Sequence, residues 1–179
     1  MHDRTLRAMD WLYRVCIWVA GIAIFLMALI IPFGVFTRYV LGTGSQWPEP
    51  VAILLMMSFT FIGAAAAYRA GAHIAVTMFT DALPAPLRRV AALLVHALMI
   101  VACLFVIFYG TELCVGTMGQ SIAELPWLPV GVTYLAIPVG SAFTLLFVIE
   151  HLVFGSQADR PLVRLEDPAA GDTAAEGAR

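Results

Sequence analysis

The chain has 179 residues, of which 61% are hydrophobic and 12% charged, with a formal net charge of −2. A chain this short and this apolar excludes a sizeable soluble catalytic domain. The near-neutral balance, with no basic stripe, gives no footprint for nucleic acid.

Four long windows, residues 15–37, 50–68, 90–111 and 125–149, contain no Asp, Glu, Lys or Arg. A helix needs about 20 mostly apolar residues to cross a bilayer core. In lipid, a non-alternating apolar segment satisfies its backbone only as a helix. The fold class expected is therefore an all-α membrane protein with four transmembrane helices. The spans are expected at about 15–37, 50–68, 90–111 and 131–154, inside one domain covering 1–154. No acid or base is forced into the membrane centre, so the usual mark of an ion or proton pathway is missing.

All ten basic residues are arginine. Arg4, Arg7 and Arg14 precede span one, Arg69, Arg88 and Arg89 lie between spans two and three, and Arg160, Arg164 and Arg179 follow span four. Only Arg38 lies on the other side, giving nine against one. The positive-inside rule places both termini and the middle connection in the cytoplasm. The connections 38–49 and 112–124 then face outward.

Span one is too long for the apolar region of a cleavable signal peptide, and no small-residue cleavage site follows it. Trp11, Tyr13 and Trp18 lie near its inner end, and Trp47 and Trp127 lie in the outward connections. Such rings belong at membrane–water interfaces. Pro32 is expected to kink span one and Pro138 span four, because each removes a helix hydrogen bond. Arg38 either pairs with Glu49 or Glu112, or snorkels to the headgroups. Glu124 lies on the same side.

Span two contains Gly63-Ala64-Ala65-Ala66-Ala67. Gly63 and Ala67 make a small-xxx-small pair that lets two helix backbones approach closely. That pair, and Gly140-Ser141-Ala142 in span four, serve packing either within this chain or against another membrane subunit. The small face of span two, and span four, are the expected contacts for such a subunit. At the inner end, Arg69, His73, Glu150 and His151 form a possible interacting group, or each snorkels separately.

Segment 71–89 is too apolar for a plain loop. Ile74, Val76, Met78, Phe79 and Leu83 suit a short helix in the inner interface, ended by Pro84 and Pro86. Residues 155–179, rich in Ala, Gly, Asp, Glu and Pro, read as a disordered cytoplasmic tail.

No residue set carries catalysis. Cys16, Cys103 and Cys114 show no CxxC and no zinc spacing, and act as small apolar fillers. His73, His96 and His151 are the candidates for a haem held between two histidines, with His73 and His151 the pair most nearly at one depth. The simpler reading makes them interfacial hydrogen-bonders. No cofactor or metal is assigned. A homodimeric exporter would place an acid inside a span, and none is present.

The chain resembles the small membrane subunit of tripartite ATP-independent periplasmic (TRAP) transporters, the DctQ-like family. The resemblance is carried in order by Arg38-Tyr39, Trp47-Pro48-Glu49, Gly63-Ala64-Ala65, and Tyr68-Arg69-Ala70-Gly71-Ala72-His73-Ile74-Ala75-Val76. It continues through Leu83-Pro84, Leu125-Pro126 and Tyr134-Leu135-Ala136-Ile137-Pro138-Val139-Gly140. One departure is that Glu49 is followed by Pro50, where the family commonly has a second acid. The resemblance implies a non-catalytic scaffold in the bacterial inner membrane, surrounded by membrane lipids. Its partners would be a large polytopic subunit and a periplasmic binding protein, and the cargo an organic acid moved with sodium. It also implies an outward docking surface for the binding protein at 38–49 and 112–129. The structural or interface residues are then Arg38, Trp47, Glu49, Gly63, Arg69, His73, Glu112, Tyr134, Pro138 and Gly140. The alternative function is a haem- or quinone-binding anchor of a respiratory complex.

Overall fold

The computed structural model describes residues 2–43, 46–71 and 85–155. The expected interfacial helix, His73 and the tail beyond Gly155 lie outside the described residues. Helix α1 spans His2–Tyr39, α2 Pro48–Arg69, and α3 Ala85–Thr117. A short antiparallel hairpin follows, β1 (Ser121–Ile122) and β2 (Leu125–Pro129), with Ile122 opposite Leu125. Helices α4 (Val130–Tyr134) and α5 (Ala136–Phe154) complete the described residues. Four stretches are long and apolar enough to cross a membrane: Thr5–Tyr39, Pro48–Arg69, Val90–Thr117 and Val130–Val153.

The helices outrun the charge-free windows. Helix α1 has 38 residues, about 57 Å at 1.5 Å per residue, against a bilayer core of about 30 Å. Charges flanking a span mark where it leaves the lipid, not where the helix stops. The α1 terminus is capped locally. Thr37 Oγ1 donates to Gly34 O at 3.0 Å, and Thr43 donates to Thr37 O through both its amide (3.3 Å) and its hydroxyl (3.2 Å). Gly42 turns the chain away at φ +61°, a conformation that favours glycine.

The two prolines act differently. Helix α1 continues through Pro32 as one element. Span four is instead divided at Leu135, between α4 and α5. Pro138 has no N–H to offer the Tyr134 carbonyl four residues earlier, so the break falls where that bond would be. A methyl built at Gly110 on α3 would meet Ile137 Cγ2 at 3.1 Å and Pro138 Cδ at 3.3 Å, so α3 packs closely on this break.

The main contacts run α1 to α2, α2 to α5, and α5 to α3. The spans thus form a row rather than a closed bundle, with α1 and α3 at its edges. Few side chains are buried in such a row. The core cluster is Tyr13, Cys16, Ala65, Ala66 and Phe147. Bulky apolar residues cover the outside, including Leu94, Leu98, Val101, Phe105 and Phe108 along α3. That exposure is what a lipid-facing surface requires.

Small residues set the crossings. A methyl at Gly140 on α5 would lie 2.6 Å from the Phe61 carbonyl carbon on α2, so the two backbones nearly touch there. A methyl at Gly63 would meet Ala20 Cβ of α1 at an ordinary 3.6 Å. On α1 the facing stripe is Cys16, Ala20 and Ala23, all buried. Gly63 and Gly140 therefore pack within the chain, the first of the two alternatives for these small residues, while Ala64 of the same run is exposed.

Candidate functional site

Two polar sites lie at opposite ends of the row. At one end, Arg69 closes the last turn of α2. Its Nε and Nη2 donate to Glu150 Oε2 and Oε1 of α5, each at 2.8 Å, and Nη2 also donates to Asp10 Oδ1 of α1 at 2.6 Å. Arg69 is 5% exposed and Glu150 3%. The guanidinium carbon lies 5.2 Å from the Tyr13 ring centre and 5.4 Å from that of Phe147. Arg69 Nη1 has no hydrogen-bond partner among the described residues; the guanidinium packs between the two aromatic rings instead.

This triad joins three of the four spans. Its planar, two-point geometry matches a carboxylate fork, which a lysine could not reproduce. Buried ion pairs carry a desolvation cost that offsets much of their attraction, whereas removing one partner strands a buried charge. Of the four residues expected at this end, Arg69 and Glu150 meet, while His73 is outside the described residues. His151 stacks instead on His96, ring centres 4.9 Å apart, and the His96 Nδ1 donates to Ala92 O at 2.6 Å. The histidine pair at one depth is thus His96 and His151. Their rings are already in contact, too close for a porphyrin plane to pass between them. Tyr13, read from sequence as an interfacial ring, is a core residue against Arg69.

Sequence reasoning missed Asp10. The available signal was the stripe Met9, Tyr13, Cys16, Ala20 and Ala23, which turns one face of α1 toward α2 and carries Asp10 beside it.

At the other end, Arg38, Glu49 and Tyr134 come together. They line a recess of about 410 Å³ with Gln46, Glu124 and Thr133. Among the described residues no ion pair within 4.0 Å forms to Arg38 or Glu49. Glu112 is exposed on α3 and does not line the recess. Trp47 packs on Phe33 with ring centres 6.1 Å apart. Gly63, Pro138 and Gly140 serve helix packing, as described above.

Neither site has the parts of a catalytic centre. Among the described residues no three His, Cys, Asp or Glu side chains converge to hold a metal. The three cysteines are free and buried, and Cys114 Sγ donates to Gly131 O at 2.7 Å where α3 meets α4.

Residues 27–157 match the family described as tripartite ATP-independent periplasmic transporters, DctQ component. The chain belongs to this family. It is also 28% identical over 125 residues to the sialic acid TRAP transporter small permease protein SiaQ of Vibrio cholerae serotype O1, covering 69% of this chain and 70% of that one. As a DctQ component the chain is a multi-pass inner-membrane part of a transporter and not an enzyme.

Proposed function

We propose that the chain is the fixed scaffold of a secondary transporter that takes up an organic acid. A periplasmic binding protein delivers the solute, and a large polytopic subunit carries it with sodium. The observation that carries this reading is the row of four spans, braced by the buried Asp10–Arg69–Glu150 triad and wrapped in bulky apolar side chains. A moving transport domain needs a stationary wall, and a row of helices widens a wall more than a closed bundle does. The organic-acid class is supported by the relative's name, since sialic acid is a carboxylate.

The arginine distribution orients the wall with the Arg69 end in the cytoplasm and the Arg38 end outward. The outward hairpin, with Trp127 76% exposed, is the surface we assign to the binding protein.

The test is affinity purification of this chain, tagged at its C-terminus, from mild-detergent extracts of its native membrane. Mass spectrometry and an absorbance scan of the eluate are the readouts. One large polytopic partner without a haem band is the expected result. A chain travelling with redox subunits and a Soret band would overturn the reading.

A further inference from the structure

Beside the polar recess runs a second cavity of about 450 Å³, between α1 and α2. Its apolar wall is formed by Met27, Ile31, Val35, Ile53 and Met56, and it shares Arg38, Gln46, Glu49 and Ile53 with the recess. The two cavities are therefore limbs of one groove, apolar below and polar above. From Met27 to Arg38 the groove rises about 16 Å along α1. One leaflet of the hydrocarbon core is about 15 Å deep. The groove thus matches a single acyl chain in length, with its charged residues at headgroup level.

The charges define the headgroup. Arg38 and Glu49 both line both limbs, yet form no ion pair with each other. Glu124 adds a second carboxylate to the polar limb. The Thr133 hydroxyl, buried beside that limb, has no hydrogen-bond partner among the described residues. An anionic headgroup would satisfy Arg38 and face two carboxylates. A zwitterion bearing a primary ammonium satisfies both signs, because the phosphate takes the guanidinium and the ammonium donates to Glu49 and Glu124. A quaternary ammonium cannot donate those bonds.

We propose that this groove is a specific site for one phosphatidylethanolamine molecule, bound through Arg38 and Glu49 with an acyl chain along Met27–Met56 of the two facing helices. The lipid completes the contact between spans one and two at the Arg38 end. It does so whichever solute or partner the transporter serves.

The test is native mass spectrometry of the full-length chain in mild detergent, with phosphatidylethanolamine, phosphatidylglycerol or phosphatidylcholine added. One phosphatidylethanolamine adduct is expected, favoured about tenfold over the other two. Ile53→Trp, which fills the apolar limb from an exposed position, should lower its occupancy about tenfold. Glu49→Gln should remove the preference over phosphatidylglycerol. Circular dichroism shows whether each variant is folded, and Arg38→Gln serves if Ile53→Trp is not. Equal binding of all three lipids, or an adduct unaffected by Ile53→Trp and Arg38→Gln, would overturn the proposal. So would loss of a polytopic protein partner on Ile53→Trp with the lipid adduct unchanged, which would make the groove a protein contact.

Discussion

Arg69 and Glu150, 81 residues apart, meet through two parallel hydrogen bonds of 2.8 Å across α2 and α5. Asp10 adds a third from α1. The site therefore holds one guanidinium and two carboxylates, and the three members are not equivalent. Removing Glu150 leaves Arg69 paired with Asp10. Removing Arg69 leaves two acids facing each other with their shared cation gone.

Arg69→Leu should accordingly destabilise the protein more than Glu150→Leu. Breaking a buried pair from one side costs about 3–5 kcal/mol. The double variant Arg69→Leu/Glu150→Leu should recover part of that loss, since neither buried charge of the pair is then stranded. Unfolding by denaturing detergent, followed by circular dichroism, measures all three. Single variants within about 0.5 kcal/mol of wild type would show that the triad braces nothing.

The glycines of the two crossings should respond in opposite ways. A methyl at Gly140 falls 2.6 Å from the Phe61 carbonyl carbon, and backbone cannot step aside as a flexible side chain can. Gly140→Ala should cost about 1–3 kcal/mol by overpacking. At Gly63 the same methyl meets Ala20 Cβ at 3.6 Å, an ordinary contact. Gly63→Ala should be neutral or slightly stabilising, because alanine is the better helix former. The two melting midpoints, taken side by side, check this. A Gly63→Ala variant as unstable as Gly140→Ala would mean that α1 and α2 pack differently.

Much of this architecture was legible in the sequence, because a bilayer enforces it. Lipid excludes charge, so the four charge-free windows mark where the spans lie, although the fourth window opens in strand β2 (Leu125–Pro129) and its span runs on to Val153. The helix ends were less legible. Asp10 and Arg14 lie inside α1, since a helix tolerates charges that the hydrocarbon core does not. The order of the row was not legible either. It depends on which small residue meets which backbone, and Gly63 and Gly140 look alike until Ala20 and Phe61 are placed against them. The Arg69 site was half legible. An arginine ending one span and a glutamate near the end of another suggested a pair at the same depth. Asp10 had no such marker, because it precedes the window that defines span one. Arg38 and Glu49 share a groove as their positions suggested, but without an ion pair between them.

The last prediction concerns which way the wall faces. In sequence order nine of the ten arginines fall in the segments that share a side with Arg69, and the positive-inside rule predicts a cytoplasmic location for that side. The three native cysteines are buried, so the wild-type chain serves as the unlabelled control. Thr43 and Gln120 are exposed at the Arg38 end, and Ala8 is exposed near the start of α1. A membrane-impermeant maleimide added to intact spheroplasts should label Thr43→Cys and Gln120→Cys. It should label Ala8→Cys only after the membrane is opened. The reverse pattern would turn the protein over, and the hairpin could then no longer meet a periplasmic binding protein. Labelling of all three in intact spheroplasts would mean that the number of spans between Ala8 and the other two is even where the structure has it odd, or that the membrane is leaky. A cytoplasmic marker enzyme assayed in the same sample separates those two outcomes.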